Sequence, residues 1–168
     1  MLNIFFRFLK GNAAFRIATG LFLLQFAIIF THNPVLGKQQ IDYFSHVFRA
    51  DLTMDSLSFV VLICIFLVCL SSLFVAKYTI TDKNQRFNFV NLLIISSIGM
   101  NGIVTVRDIF SLYMFLEIVA VASFVLIAFR RGRFALEGAF KYLMLSAVAT
   151  IMLLFSIALL LFICGNTS

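Results

Sequence analysis

A single all-α bundle of about five membrane-spanning helices, with its N-terminus in the cytoplasm, is the fold class that this sequence predicts. Three observations carry that expectation. Of the 168 residues, 62% are hydrophobic and only 12% are charged, whereas about 25% of a typical soluble chain is charged. The apolar residues fall into runs close to the roughly 20 residues that cross a bilayer as a helix. The cations gather between those runs and alternate from one connection to the next.

The runs follow in order. Met1 to Arg16 is Phe-rich and suits a membrane surface. The first apolar run, expected as a span over about 17–32, starts at Ile17 and ends at His32, Asn33 and Pro34. No small-x-small cleavage pattern follows it, so an uncleaved anchor is expected instead of a signal peptide. In Val35 to Met54 the residues Ile41, Tyr43, Phe44, Val47 and Phe48 fit either a short hairpin or a surface amphipathic helix. The second span, 56–76, is entered through Asp55 and left at Lys77 and Tyr78. The polar stretch Thr79 to Arg86 turns the chain into a third span, 87–106, and Arg107 and Asp108 separate that from a fourth, 109–129. Arg130, Arg131 and Arg133 precede a fifth, 134–163, which is longer than a perpendicular crossing requires and so is expected to tilt or begin at the interface. With one Pro, 8 Gly and no repeat, residues 1–168 are expected to form one domain.

Charge placement fixes the orientation and removes other function classes. Nine cations lie before the first span, after the second and after the fourth; three lie in the alternate connections, and Lys141 falls inside the fifth span. The cation-rich side is the cytoplasmic one, so the C-terminus is expected outside, in a multi-pass protein of the cell inner membrane. The net charge of +6 is scattered, with no basic stripe, which argues against nucleic acid as a partner. Cys64, Cys69 and Cys164 lack metal-ligand spacing. His32 and His46 lie at or beyond the membrane surface, and no Ser or Cys has a base at suggestive spacing. No cofactor, no metal and no catalytic chemistry of the chain's own are expected.

Two charges inside the membrane are the candidate functional groups. Glu117 lies eight residues into the fourth span, about 12 Å deep at roughly 1.5 Å of rise per residue. Lys141 lies seven residues beyond Phe134, about 10 Å from the other face. A lone charge at such depth costs about 2.5–3.5 kcal/mol or more, so each is expected to face protein, water or the other. At about 6 Å and an effective dielectric near 20, their attraction is about 2.8 kcal/mol, enough to govern whether a carboxyl group keeps a proton. The competing structural reading pairs Lys141 with Glu137, one turn earlier in the favourable orientation. Gln25, Asn91, Ser96 and Ser97 read as polar glue between helices, while Asn101 and Asp108, beside the start of the fourth span, are candidate supporting residues.

The run GMNGIVTVRDIFSLYMFLEIVAVASFVLIAF, Gly99 to Phe129, resembles the corresponding region of the antiporter-like membrane subunits, especially the D subunit of Mrp-type sodium/proton antiporters. ALEGAFKYLMLSAVATIMLLFSIALL, Ala135 to Leu160, is similar to the next helix of that family, which includes complex I and membrane-bound hydrogenase members; DSLSF from Asp55 is similar to an earlier helix start. The string Asp-x-Phe-x-Leu-Tyr-x-Phe-x-Glu, Asp108 to Glu117, is its most specific part. The resemblance implies that Glu117 is the family's mid-membrane glutamate and that Lys141 matches a lysine on the following helix. It also implies a departure: the family's broken helix with a further essential lysine, and one N-terminal helix, have no counterpart here. The expectation is therefore a half-length antiporter-like subunit contributing to proton or sodium translocation in a hydrogenase, formate hydrogenlyase, complex I-like or Mrp-type assembly. Other membrane subunits would be its partners, one of them supplying the C-terminal antiporter half or being a neighbouring antiporter-like subunit. The alternative is a non-transporting structural or assembly subunit of such a complex.

Overall fold

The computed structural model describes residues 11–31, 55–130 and 132–164. Five helices account for nearly all of them: α1 Gly11–Thr31, α2 Ser56–Thr79, α3 Lys83–Thr105, α4 Ile109–Ile127, extended by a 3-10 turn at Ala128–Arg130, and α5 Arg133–Cys164. α2 to α5 are each long and apolar enough to cross a membrane, and α1 carries a shorter apolar stretch at Phe15–Ile28. The expected hairpin or surface helix in residues 35–54 lies outside the described residues.

Helices begin before the apolar runs do. α1 starts at Gly11 and α3 at Lys83, because backbone hydrogen bonding continues into the polar boundary once a helix is nucleated. The starts of α3 and α4 are capped by aspartates, as orphan first-turn N–H groups require. Asp82 Oδ1 accepts from the Asn84 N–H at 3.2 Å, and Asp108 Oδ2 accepts from the Ser111 N–H at 2.8 Å and its hydroxyl at 2.9 Å. The end of α2 is closed from the opposite direction. The Arg86 guanidinium donates to the Ile80 carbonyl at 2.6 and 3.1 Å and to the Lys77 carbonyl at 3.1 Å, placing a cation where the helix dipole is negative. At the other end of the bundle the Ser58 hydroxyl donates to the Val104 carbonyl at 3.2 Å, and Asp55 faces Arg107 at 3.7 Å across exposed surface.

Packing follows a single helical stripe on α2. Ser58, Leu62, Phe66, Cys69, Leu73 and Ala76 are buried, spaced three and four residues apart so that all six share a face. The core forms where Phe66, Cys69 and Leu73 meet Ala18 and Phe22 of α1 and Val90 and Leu93 of α3; Phe26 stacks on Phe66 with ring centres 4.8 Å apart. α1, α2 and α3 thus form a compact trio. α4 packs on the free side of α3, and α5 packs on α4. Large apolar side chains such as Leu67, Phe74, Met152 and Phe162 point outward, the arrangement that hydrocarbon, unlike water, permits.

Candidate functional site: the mid-helix carboxylate of α4

A close approach to α3 sets the position of α4. Gly99 and Gly102 of α3 are buried and lie directly against Phe115, Ile118 and Val119 of α4. Their missing side chains let the backbones approach, as small residues do at helix crossings within membranes. A helix locked by Phe115 and Val119 must turn Glu117 away from α3, because two positions along the chain rotate a side chain by about 200°.

Glu117 therefore sits in a stripe with Phe110, Met114 and Val121, at seven and three residues before it and four after. Those three are 44%, 50% and 45% exposed, while Glu117 is half-buried between them. Its Oε2 is shielded from the surroundings and accepts no hydrogen bond among the described residues. Tyr113, one turn earlier, is tilted against the Phe110 ring at 6.4 Å. A carboxyl group with a shielded, unpartnered oxygen on an otherwise apolar stripe is expensive if charged and can exchange a proton only where water or a polar group reaches that stripe. Gln25 Nε2 and Asn101 Oδ1 are likewise shielded and without a partner among the described residues.

Lys141 is not brought to Glu117. Its ammonium donates to Glu137 Oε1 at 2.7 Å, with the two side chains 69% and 54% exposed, so the structural pairing within α5 is the one realised. The covered face of α5 runs through Ala139, Ser146, Thr150, Leu153 and Ile157. Lys141 stands two positions beyond Ala139, on the far side of the helix from α4. Asp108 serves as the cap of α4, and the Asn101 carbonyl accepts the Thr105 hydroxyl at 3.0 Å. The close approach of Gly99 and Gly102 and the capping role of Arg86 were not read from the sequence. The first had a signal, two glycines three residues apart in a helical run; the second had none.

Residues 106–168 match the family described as NADH:quinone oxidoreductase/Mrp antiporter, TM. The chain is 31% identical over 134 residues to the N subunit of the NADH-quinone oxidoreductase of Paramagnetospirillum magneticum, covering 79% of this chain and 27% of that protein. It is 28% identical over 94 residues to the D subunit of the Na(+)/H(+) antiporter of Alkalihalophilus pseudofirmus, covering 56% and 19%. From Val106 onward the chain carries an antiporter-like membrane segment. A second N subunit of an NADH-quinone oxidoreductase, from Rhodospirillum rubrum, is 34% identical over 87 residues, 51% of this chain and 18% of that one. The chain thus spans about a quarter or less of the length of these antiporter-like relatives. The matched family region begins at Val106 and contains Asp108, Glu117, Glu137 and Lys141, so four of the five candidate residues belong to the antiporter-like segment and Asn101 precedes it.

Proposed function

We propose that this chain is a membrane subunit of a multi-subunit ion-translocating complex of hydrogenase, formate hydrogenlyase, complex I-like or Mrp type, and that α4 presents Glu117 as a proton-accepting group within it. The observation that supports this reading most is the shielded Glu117 oxygen at mid-helix, without a partner among the described residues. An antiporter-like segment that keeps an ionisable group at such depth keeps it against a cost of about 2.5–3.5 kcal/mol. Lys141 and Glu137 form the second charged element, one helix along and nearer the inner face. Proton or sodium is the ion. Asn101 and Asp108 assist by holding the α3–α4 junction, and neighbouring membrane subunits cover the Phe110–Met114–Val121 stripe and the open face of α5. The assembly lies in the cytoplasmic membrane, with the N-terminus of this chain inside.

A second reading has one observation in its favour. Lys141 is engaged by Glu137, so no cation of this chain modulates Glu117 among the described residues, as expected of a structural subunit that extends a complex without transporting. Purification through a tag in gentle detergent, with identification of the co-purifying chains, tests the shared part of both readings. Other multi-pass subunits should be retained; a chain recovered alone at its own 19.0 kDa mass from native membranes would contradict both.

A further inference from the structure

Away from Glu117, a groove of about 880 Å³ lies where the end of α2, the α2–α3 turn and the end of α4 meet. Its two walls differ in chemistry. Ser72, Thr79 and Thr81 supply hydroxyls, while Val75 and Ile127 form an apolar rim that is exposed to the surroundings of the bundle. Phe89 and Phe129, in edge contact at 5.6 Å, also line it. Arg130, which is exposed, lines it too.

The cations around this groove are not equivalent. Arg86 is committed to the carbonyls that end α2. Lys77 lies over the rings of Phe15 and Tyr78 at 5.6 and 5.9 Å. Arg130 is exposed and makes no ion pair among the described residues. The one acid in the lining, Asp82, is occupied as the cap of α3. An exposed guanidinium without an ion pair, beside hydroxyls and at the boundary between an apolar helix and a polar turn, is matched to a phosphate diester. The fork of N–H donors suits phosphate oxygens, and basic recesses between membrane helices hold anionic headgroups.

We infer that this groove binds one anionic phospholipid, its headgroup phosphate held by Arg130 and the Thr79 and Thr81 hydroxyls and an acyl chain lying along Val75 and Ile127. The apolar rim selects a lipid over a free anion, because soluble phosphate would gain nothing from it. The net charge around the recess selects an anionic headgroup over a zwitterionic one.

Native mass spectrometry tests this on the chain extracted in mild detergent with the subunits that stay bound. Phosphatidylglycerol and phosphatidylcholine of matched acyl chains are the two probes, with excess glycerol phosphate as a soluble competitor. One phosphatidylglycerol should bind in preference to phosphatidylcholine, and glycerol phosphate should not displace it. Arg130→Gln should weaken that binding about tenfold or more, the value of one charge-assisted contact. Lys83→Gln, on the same face but outside the groove, should leave it unchanged. Val75→Phe, which fills the rim and keeps Arg130, should also lower occupancy, and it decides the matter if Arg130→Gln does not fold. Equal binding of the two lipids, displacement by glycerol phosphate, or full phosphatidylglycerol retention by either groove variant overturns the proposal. So does a neighbouring subunit that excludes lipid from the site.

Discussion

Adding a single methyl group to one glycine at a time should separate positions that hold α4 from positions that do not. Gly99→Ala would place its Cβ 2.6 Å from Val119 Cγ2, and Gly102→Ala would drive its Cβ into the Phe115 ring, where ordinary contact begins at 3.4 Å. Overpacking of this kind costs about 1–3 kcal/mol. Alanine in a helix interior recovers about 0.8–1.0 kcal/mol relative to glycine, so each variant should lose a net of about 0–2 kcal/mol, with Gly102→Ala the worse. Gly20 has nothing within 4 Å of its Cβ position, and Gly138 meets only Ile127 Cγ2 at 3.9 Å. There the propensity gain acts alone, and stability should rise by up to about 1 kcal/mol. The sign, not just the size, differs between the two pairs. Unfolding in mixed SDS micelles, followed by helical circular dichroism, gives the four values. Phe115→Leu combined with Gly102→Ala should recover part of the loss, with a coupling of about 0.5–3 kcal/mol expected for residues in contact. The reasoning fails if Gly102→Ala is as stable as Gly20→Ala, or if the double variant shows no coupling.

Two further outcomes follow from named contacts and from the charge pattern. Asp108→Ala removes both bonds to Ser111 and should cost about 0.5–2 kcal/mol; hydrogen exchange should accelerate in the first turn of α4 and not in its middle, and an unchanged first turn would mean that the cap is unimportant. In a background lacking the native cysteines, Gly132→Cys should react with an impermeant maleimide only from the cytoplasm and Arg107→Cys only from outside; labelling of Gly132→Cys from outside would reverse the orientation.

The fold class was readable from the sequence because hydrocarbon imposes length. Four apolar runs with polar ends could cross a bilayer only as helices, and α2 to α5 occupy them. Helix starts were less readable, since Lys83 and Asn12 are polar yet helical and hydropathy marks only the apolar part. Glu117 stood out for a related reason: one carboxylate in an apolar run is conspicuous whatever the helix faces. What Lys141 would do was not readable. Both Glu137 and Glu117 were available acids, and the choice depends on how α5 is rotated against α4. A helix that is apolar on every face carries little signal for that rotation. The Gly99 and Gly102 crossing, hinted at in sequence only by two glycines three residues apart, supplies it for α4, and the Ala139 to Ile157 face supplies it for α5.

We propose that the Glu117 carboxyl group moves protons and does not merely hold helices together. Glu117→Gln preserves shape and hydrogen-bonding capacity while removing the exchangeable proton, so it separates the two roles. The measurement is proton uptake or membrane potential generated per electron transferred by the intact complex, normalised to the content of this subunit in the purified membrane; for an assembly driven by an ion gradient, ion flux per subunit replaces it. Glu117→Gln should lower that ratio sharply while assembly stays near normal, and Lys141→Ala, whose partner Glu137 already satisfies it at 2.7 Å, should lower it less. A ratio unchanged by Glu117→Gln in a normally assembled complex would show that the carboxyl group is structural.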